Sequence, residues 1–325
     1  MNAVSGGIMK ADKETLDMIK TLMDDYKDNR RVNNMQVFEQ PDTVVVRDIL
    51  KKLIHIILPG YFRDRTYRFF NMESHLNVLY EDVVYNLSKQ ISIALRQKEE
   101  NKCKTEEEVD EDARKIVLEF LKRIPVIREY TETDIEAGYL GDPAAYNYDE
   151  IVLSYPGFRA ILINRIAHEL YLLGVPLVPR IMTEYAHSRT GIDIHPGVTL
   201  GKYFFIDHGT GIVIGETAII GEHVKVYQGV TIGALSTRNV EALKGKKRHP
   251  TIEDNVTIYS GASILGGETV IGEGATIGSN AFITKSVAPG AKVSIKNQEL
   301  SIKDGKKEVF ESSAELYDDS WFYII

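Results

Sequence analysis

The C-terminal half of the chain counts in sixes. An aliphatic residue returns at Ile194, Leu200, Ile206 and Ile212, then at Ile214, Ile220, Val226 and Ile232. The count resumes at Ile252, Ile258 and Ile264, and again at Ile271, Ile277 and Ile283. A period of six fits neither the ~3.6 of a helix nor the ~2 of an ordinary strand. It fits a chain that turns a corner after every short strand, so that three hexapeptides close one triangular coil. The counted residues point inward and stack coil on coil. The count slips by two after Ile212 and by one after Ile264, and it breaks between Gly233 and Thr251. A break of that kind predicts a loop pushed out of the solenoid.

The first half has a different pattern. Residues 1–150 hold five glycines and residues 191–290 hold seventeen, so the change of grammar falls near Gly191. Helical stripes run over Asp12–Lys27 (Leu16, Ile19, Leu22, Met23, Tyr26), Val45–Ile57 and Leu76–Leu95. Thr105-Glu106-Glu107-Glu108 reads as a capping box before Val109, Ile116, Val117, Phe120 and Leu121. Thr131-Glu132-Thr133-Asp134 predicts another helix start. Two more helices are expected over Gly157–Leu173 and Pro176–His187. The expected fold class is therefore α+β. A helical domain over 1–190 precedes a left-handed parallel β-helix over 191–293, with a protruding loop at 235–250 and a tail over 294–325.

Composition narrows the picture only a little. The chain has 325 residues, 43% hydrophobic and 26% charged, with a net charge of −8, which gives no support to nucleic acid as the main partner. Its one cysteine, Cys103, forms no intrachain disulfide. Met1–Lys10 lacks the grammar of a secretory signal, and the apolar run Leu53–Leu58 is too short to span a bilayer. A cytoplasmic location is the expectation.

Three clusters stand out on the solenoid: Asp193-Ile194-His195-Pro196, Asp207-His208-Gly209-Thr210-Gly211 and Lys246-Lys247-Arg248-His249-Pro250. A carboxylate bonded to one imidazole nitrogen makes the other a better base, so Asp193 and His208 are a candidate pair. From the period alone, an acid capping a turn and a histidine filling a corner explain them equally well. The loop carries Arg238, Lys244, Lys246, Lys247 and Arg248 against one acid, Glu241, which suits phosphate contact or simple solvation. His168, on a helix, reads as structural, and His187 and His223 as surface residues. A zinc site of the gamma-class carbonic anhydrase kind would draw on His195, His208, His223 and His249. It would leave the Asp207-His208 pair and the basic loop unexplained.

Taken with Ile212-Val213-Ile214-Gly215-Glu216-Thr217, these clusters resemble serine O-acetyltransferase, a hexapeptide-repeat acyltransferase family. Asp142-Pro143-Ala144, Tyr155-Pro156-Gly157-Phe158 and Arg165-Ile166-Ala167-His168 extend the resemblance over roughly residues 130–290. It implies acetyl transfer from acetyl-CoA to L-serine for cysteine synthesis, with His208 as general base and Asp193 orienting it. It implies that Asp142, Asp207, Arg248 and His249 hold the amino acid, and that Ala234, Ser260 and Ser279, with Lys246 and Lys247, contact CoA. No metal is expected. The resemblance further implies a trimer or hexamer, feedback by L-cysteine, and insertion of the C-terminal Ile325 into O-acetylserine sulfhydrylase. Another CoA-dependent hexapeptide transferase, acting on an amino alcohol or sugar, and a non-catalytic scaffold are the alternatives.

Overall fold

The computed structural model describes residues 13–28, 30–33, 40–61, 72–235, 245–295, 300–304 and 307–311. By contact density the chain divides after Gln40. The first unit contains α1 (Lys13–Asp25), on the predicted stripe, and a short 3-10 turn at Arg31–Asn33.

Among the described residues the second unit opens with seven α-helices: α2 (Thr43–Ile57), α3 (Met72–Arg96), α4 (Glu106–Lys122), α5 (Ile124–Gly141), α6 (Tyr148–Ser154), α7 (Pro156–Leu172) and α8 (Val178–Thr190). The α4 capping box forms as expected: the Glu108 amide donates to Thr105 Oγ1, and Glu108 Oε2 accepts from the Thr105 amide. Thr131 does not start a helix. Pro125 already opens α5, and Thr131 lies in mid-helix with its hydroxyl donating to the Ile127 carbonyl at 2.7 Å. A back-bonded threonine followed by acids mimics a cap in sequence alone. The sequence reading also missed α6, which Asn147 caps by accepting the Glu150 amide at 2.9 Å. No described helix is long and apolar enough to cross a membrane.

Gly191 closes α8 in the left-handed conformation (φ 70°), and the solenoid begins at Asp193. Three parallel sheets form its faces. The first face stacks the strands Asp193–Ile194, Val213–Ile214, Thr231–Gly233, Ser263–Leu265 and Phe282–Ile283. The second stacks Thr199–Leu200, Ile219–Ile220, Thr251–Ile252 and Val270–Ile271, and the third runs from Phe205–Asp207 to Lys292–Val293. Ile194, Ile214, Ile232 and Ile264 lie in register, as do Ile206, Val226, Ile258 and Ile277. Nearly all the residues counted in sixes are buried, and each fully buried aliphatic contributes about 1.5–3 kcal/mol. Beyond the solenoid, Leu300–Asp304 and Lys307–Glu311 pair as an antiparallel hairpin.

The helices and the solenoid have separate apolar cores, with Ala160 and Ile161 of α7 reaching into the second. A buried ion pair fastens the two. Arg165 of α7 donates to both oxygens of Asp134 of α5, at 2.5 and 2.7 Å. The same guanidinium caps the Leu200 and Gly201 carbonyls, and Asp134 accepts the Phe204 amide.

Candidate active site

The polar side chains of interest gather on two edges of the prism. Thr210, Gln228, Ser260 and Ser279 form a column along the edge between the third and first faces, the Gly229, Gly261 and Asn280 amides donating to the Thr210, Gln228 and Ser260 carbonyls, and His208 lies in the corner just before Thr210. Ser260 Oγ donates to Ser279 Oγ at 3.2 Å. At roughly 4.8 Å per coil, the two serines lie about 10 and 15 Å along the axis from His208. The corner that holds His208 is longer than those below it. The chain runs Ile206 to Ile214 where the next coils run Val226 to Ile232 and Ile258 to Ile264. The slip of two therefore lies in the corner that carries the candidate base. His208 is exposed and takes a left-handed conformation (φ 57°).

Two acids stand beside it. Asp207 is buried, with one oxygen 3.7 Å from His208 Nδ1 and the other 3.7 Å from Lys225 Nζ. Asp142, at the end of α5, accepts the Ala144 amide at 2.8 Å and the Tyr155 hydroxyl at 2.5 Å. Burial pushes the Asp142 carboxyl up. The hydrogen bonds from Tyr155 and Ala144, with the charges of Lys225 and His208, outweigh it and hold the group below its usual range. Lys225 donates to the Gly141 carbonyl and lies over the rings of Phe205 and Tyr227.

The second group occupies the edge between the first and second faces, where the loop leaves after Ala234 and returns at Thr251. His195 and Gly215 follow the in-register Ile194 and Ile214, and Glu216 and Ala234 stack one position further on. Arg248 pairs with Glu216, which also accepts the Tyr171 hydroxyl at 2.9 Å. Burial raises the Glu216 carboxyl, but these donors bring it below its ordinary value. His249 is buried and lies over Gly215, where an ideal Cβ would fall 2.1 Å from its Nε2. Its Nδ1 accepts the Thr217 amide at 3.1 Å. Burial and the neighbouring Arg248 charge bring its pKa down to about 4. His195 is similar: its Nδ1 accepts the Gly197 amide at 3.0 Å, and burial lowers its pKa.

The remaining sequence candidates fall outside this arrangement or at its margin. Asp193 lies on the first face, 3.7 Å from Arg180. Among the described residues no hydrogen bond or ion pair joins it to His208. Asp193, Glu184 and His187 bring ligand-type atoms within 4.8 Å of one another, but Arg180 already pairs with both carboxylates. His223 stacks on Tyr203 at 4.2 Å on the remaining edge, so the four solenoid histidines are spread over all three edges. His168 donates from Nδ1 to the Pro196 carbonyl at 2.8 Å, a structural bond. Lys246 is exposed, whereas Lys247 donates to the His249 carbonyl. Arg238, Lys244 and Ile325 lie outside the described residues.

Comparison with known proteins decides between the families that share this solenoid. Residues 62–162 match the family described as serine acetyltransferase, N-terminal. A serine acetyltransferase of Synechococcus elongatus is 46% identical over 189 residues, 57% of this chain and 59% of the relative. The structure of Entamoeba histolytica serine acetyltransferase 1 in complex with L-cysteine is 38% identical. It has a TM-score of 0.65 over 76% of this chain and 86% of that one. The chain belongs to the serine acetyltransferase family. A Neisseria gonorrhoeae member in complex with serine is 28% identical, with a TM-score of 0.50 over 77% of this chain and 95% of that one. The aligned segment covers less than two thirds of the cyanobacterial relative's length.

Against that background, the residues the sequence reading left without a role are Tyr155, Tyr171, Glu216, Thr217 and Lys225. Glu216 and Thr217 follow Gly215 directly in the quoted motif, and Tyr155 opens another, so a signal was present for three of them. Lys225 had none, because a lysine beside an inward valine on a strand is ordinarily solvated.

Proposed function

We propose that the protein transfers acetyl from acetyl-CoA to the hydroxyl of L-serine, with His208 as the general base. The observation that carries this reading is the contrast among the site histidines. His195 and His249 each have Nδ1 occupied by a backbone amide, while His208 is exposed, with Asp207 at 3.7 Å and the Asp142 carboxylate as its acidic neighbours. An imidazole whose lone pair already accepts a hydrogen bond is a poor proton acceptor.

Asp142 and Asp207 beside the base supply negative charge for an ammonium group, and Arg248 supplies a guanidinium for a carboxylate. Within one chain a whole face of the prism separates these two sets. We therefore assign a trimer in which the edge bearing His208 meets the edge bearing Arg248 and His249 of the next subunit. Two such trimers would make a hexamer. Acetyl-CoA would lie in the groove so formed. Ser260 and Ser279 would stand along one wall and Ala234 on the other, and Lys246 would lie near the phosphates. Lys247 joins them only by leaving the His249 carbonyl. Asp193 would turn to His208. Its 3.7 Å separation from Arg180 is longer than a hydrogen bond, so the carboxylate retains acceptor capacity.

In the reaction the serine oxygen attacks the thioester carbonyl as His208 takes its proton. The tetrahedral oxyanion collapses, the carbon–sulfur bond breaks, and the imidazolium returns the proton to the departing thiolate. L-cysteine, with the same ammonium and carboxylate, would compete for the serine position. The tail ending in Ile325 would dock in O-acetylserine sulfhydrylase. The test of the activity is thiol release from acetyl-CoA with a panel of acceptors. L-serine is expected to exceed L-homoserine and amino sugars, and a preference for a sugar would overturn the reading.

Two variants probe the pocket. Gly215→Ala places a methyl where the His249 ring lies, so the ring must move. The KM for L-serine is expected to rise about tenfold or more in steady-state assays, with the thermal midpoint little changed. Tyr155→Phe removes a donor that lowers the Asp142 pKa. The carboxylate then protonates at a higher pH, and the acid-side loss of serine affinity should move upward in a KM–pH profile.

A further inference from the structure

We propose that Thr217 is a positioning residue that fixes His249 as a neutral donor, its Nε2–H turned over Gly215 towards the amino-acid substrate. This inference rests on the function proposed above and adds a residue to it.

The hydrogen bonds around Thr217 close without remainder. Its hydroxyl oxygen accepts the Arg248 amide at 2.9 Å and the His249 amide at 3.1 Å, using both lone pairs. The hydroxyl proton is then free for one acceptor, and His249 Nδ1 lies at 2.9 Å. The backbone amide of Thr217 donates to the same nitrogen at 3.1 Å. A ring nitrogen that receives two donors carries no proton, so the imidazole proton is on Nε2. One threonine thus sets the tautomer of His249 and anchors the backbone of both Arg248 and His249 where the loop rejoins the solenoid.

Gly215 clears the far side of the ring. An ideal Cβ there would lie 2.1 Å from Nε2 and from Cδ2, so only glycine leaves the ring in place. The donor nitrogen therefore lies against backbone without a side chain in front of it. A histidine held in this way presents an N–H at every working pH and cannot exchange roles with the base. The charged groups around it are Arg248 and Lys247, which disfavour its protonation, Glu216, which favours it, and His195, itself held neutral. The division of labour follows: one imidazole moves the proton, and the other only donates.

The experiment compares Thr217→Val, Thr217→Ser and Thr217→Ala in the full-length protein, with His208→Ala as a reference. Thr217→Val should raise the KM for L-serine roughly 10–100-fold, the scale of loss expected when buried hydrogen-bonding groups are left without a partner. It should leave the KM for acetyl-CoA near the wild-type value. Its kcat at saturating L-serine should stay near the wild-type value, because the Thr217 amide still donates to Nδ1 and burial with the Arg248 charge still opposes protonation of His249. Thr217→Ser, which keeps the hydroxyl, should restore the KM. If Thr217→Val does not fold, Thr217→Ala with its smaller side chain takes its place in the same comparison. An unchanged KM for L-serine in the hydroxyl-less variants, a fall in kcat as large as the rise in KM, or a serine variant as impaired as they are, would overturn the proposal. Failure of the underlying function shows differently: the wild type would release no thiol with L-serine, or His208→Ala would match it.

Discussion

His208→Ala is expected to lower kcat for acetyl transfer to L-serine by about 10²–10⁴-fold, the contribution of a positioned general base. The fold should survive, because the imidazole is exposed on a corner and takes no part in the stacked core. The KM for L-serine should change much less than kcat, since Asp142, Asp207 and Arg248 remain. Among the described residues, the other three solenoid imidazoles are already engaged. His249 and His195 have their acceptor nitrogens occupied, and His223 is stacked on Tyr203 at another edge. The corner that carries His208 is two residues longer than those below it, which sets the imidazole outside the stacked column of Thr210, Gln228, Ser260 and Ser279. A variant with near-normal kcat would move the proton acceptor elsewhere.

The second large effect concerns stability. Arg165→Met should destabilise the protein by about 3–5 kcal/mol, because it leaves the Asp134 carboxylate buried without its partner. The Leu200 and Gly201 carbonyls lose a donor at the same time, so the junction between helices and solenoid should open first. The pH dependence carries a sign. Burial raises the Asp134 carboxyl, and without Arg165 little opposes that rise. The folded variant then binds a proton that the unfolded chain releases, so its deficit relative to the wild type should shrink as pH falls. Urea unfolding at neutral and mildly acid pH measures both quantities. A double variant, Arg165→Met with Asp134→Leu, should recover much of the loss, since an apolar pair of similar bulk needs no desolvation. If both variants unfold with the wild type at neutral pH, the junction is held by its apolar contacts alone.

The sequence made the frame legible because a solenoid repeats its constraints. Each inward position in a coil meets the same position in the next, so one period predicts the whole stack and its interruptions predict its exceptions. The slip after Ile212 was visible as a number, and the structure gives it a place, the bulged corner of His208. The loop between Gly233 and Thr251 was visible for the same reason.

Interactions between distant segments were not visible. Arg180 beside Asp193, Lys225 beside Asp207 and Tyr171 on Glu216 join residues whose neighbours in sequence say nothing of each other. Thr131 misled because a local capping pattern and a mid-helix threonine look alike until Pro125 is recognised as the start. Asp142 and Arg248 were legible only through resemblance to a family. Even then the chain by itself leaves them on different edges.

Direct acetyl transfer to the serine hydroxyl can be measured by incubating the protein with acetyl-CoA and L-serine, then quantifying free CoA thiol and O-acetylserine together by chromatography with mass detection. One O-acetylserine is expected for each CoA released, with no release in the absence of L-serine. Thiol release without L-serine, or acetyl recovered on water or another acceptor, would contradict it.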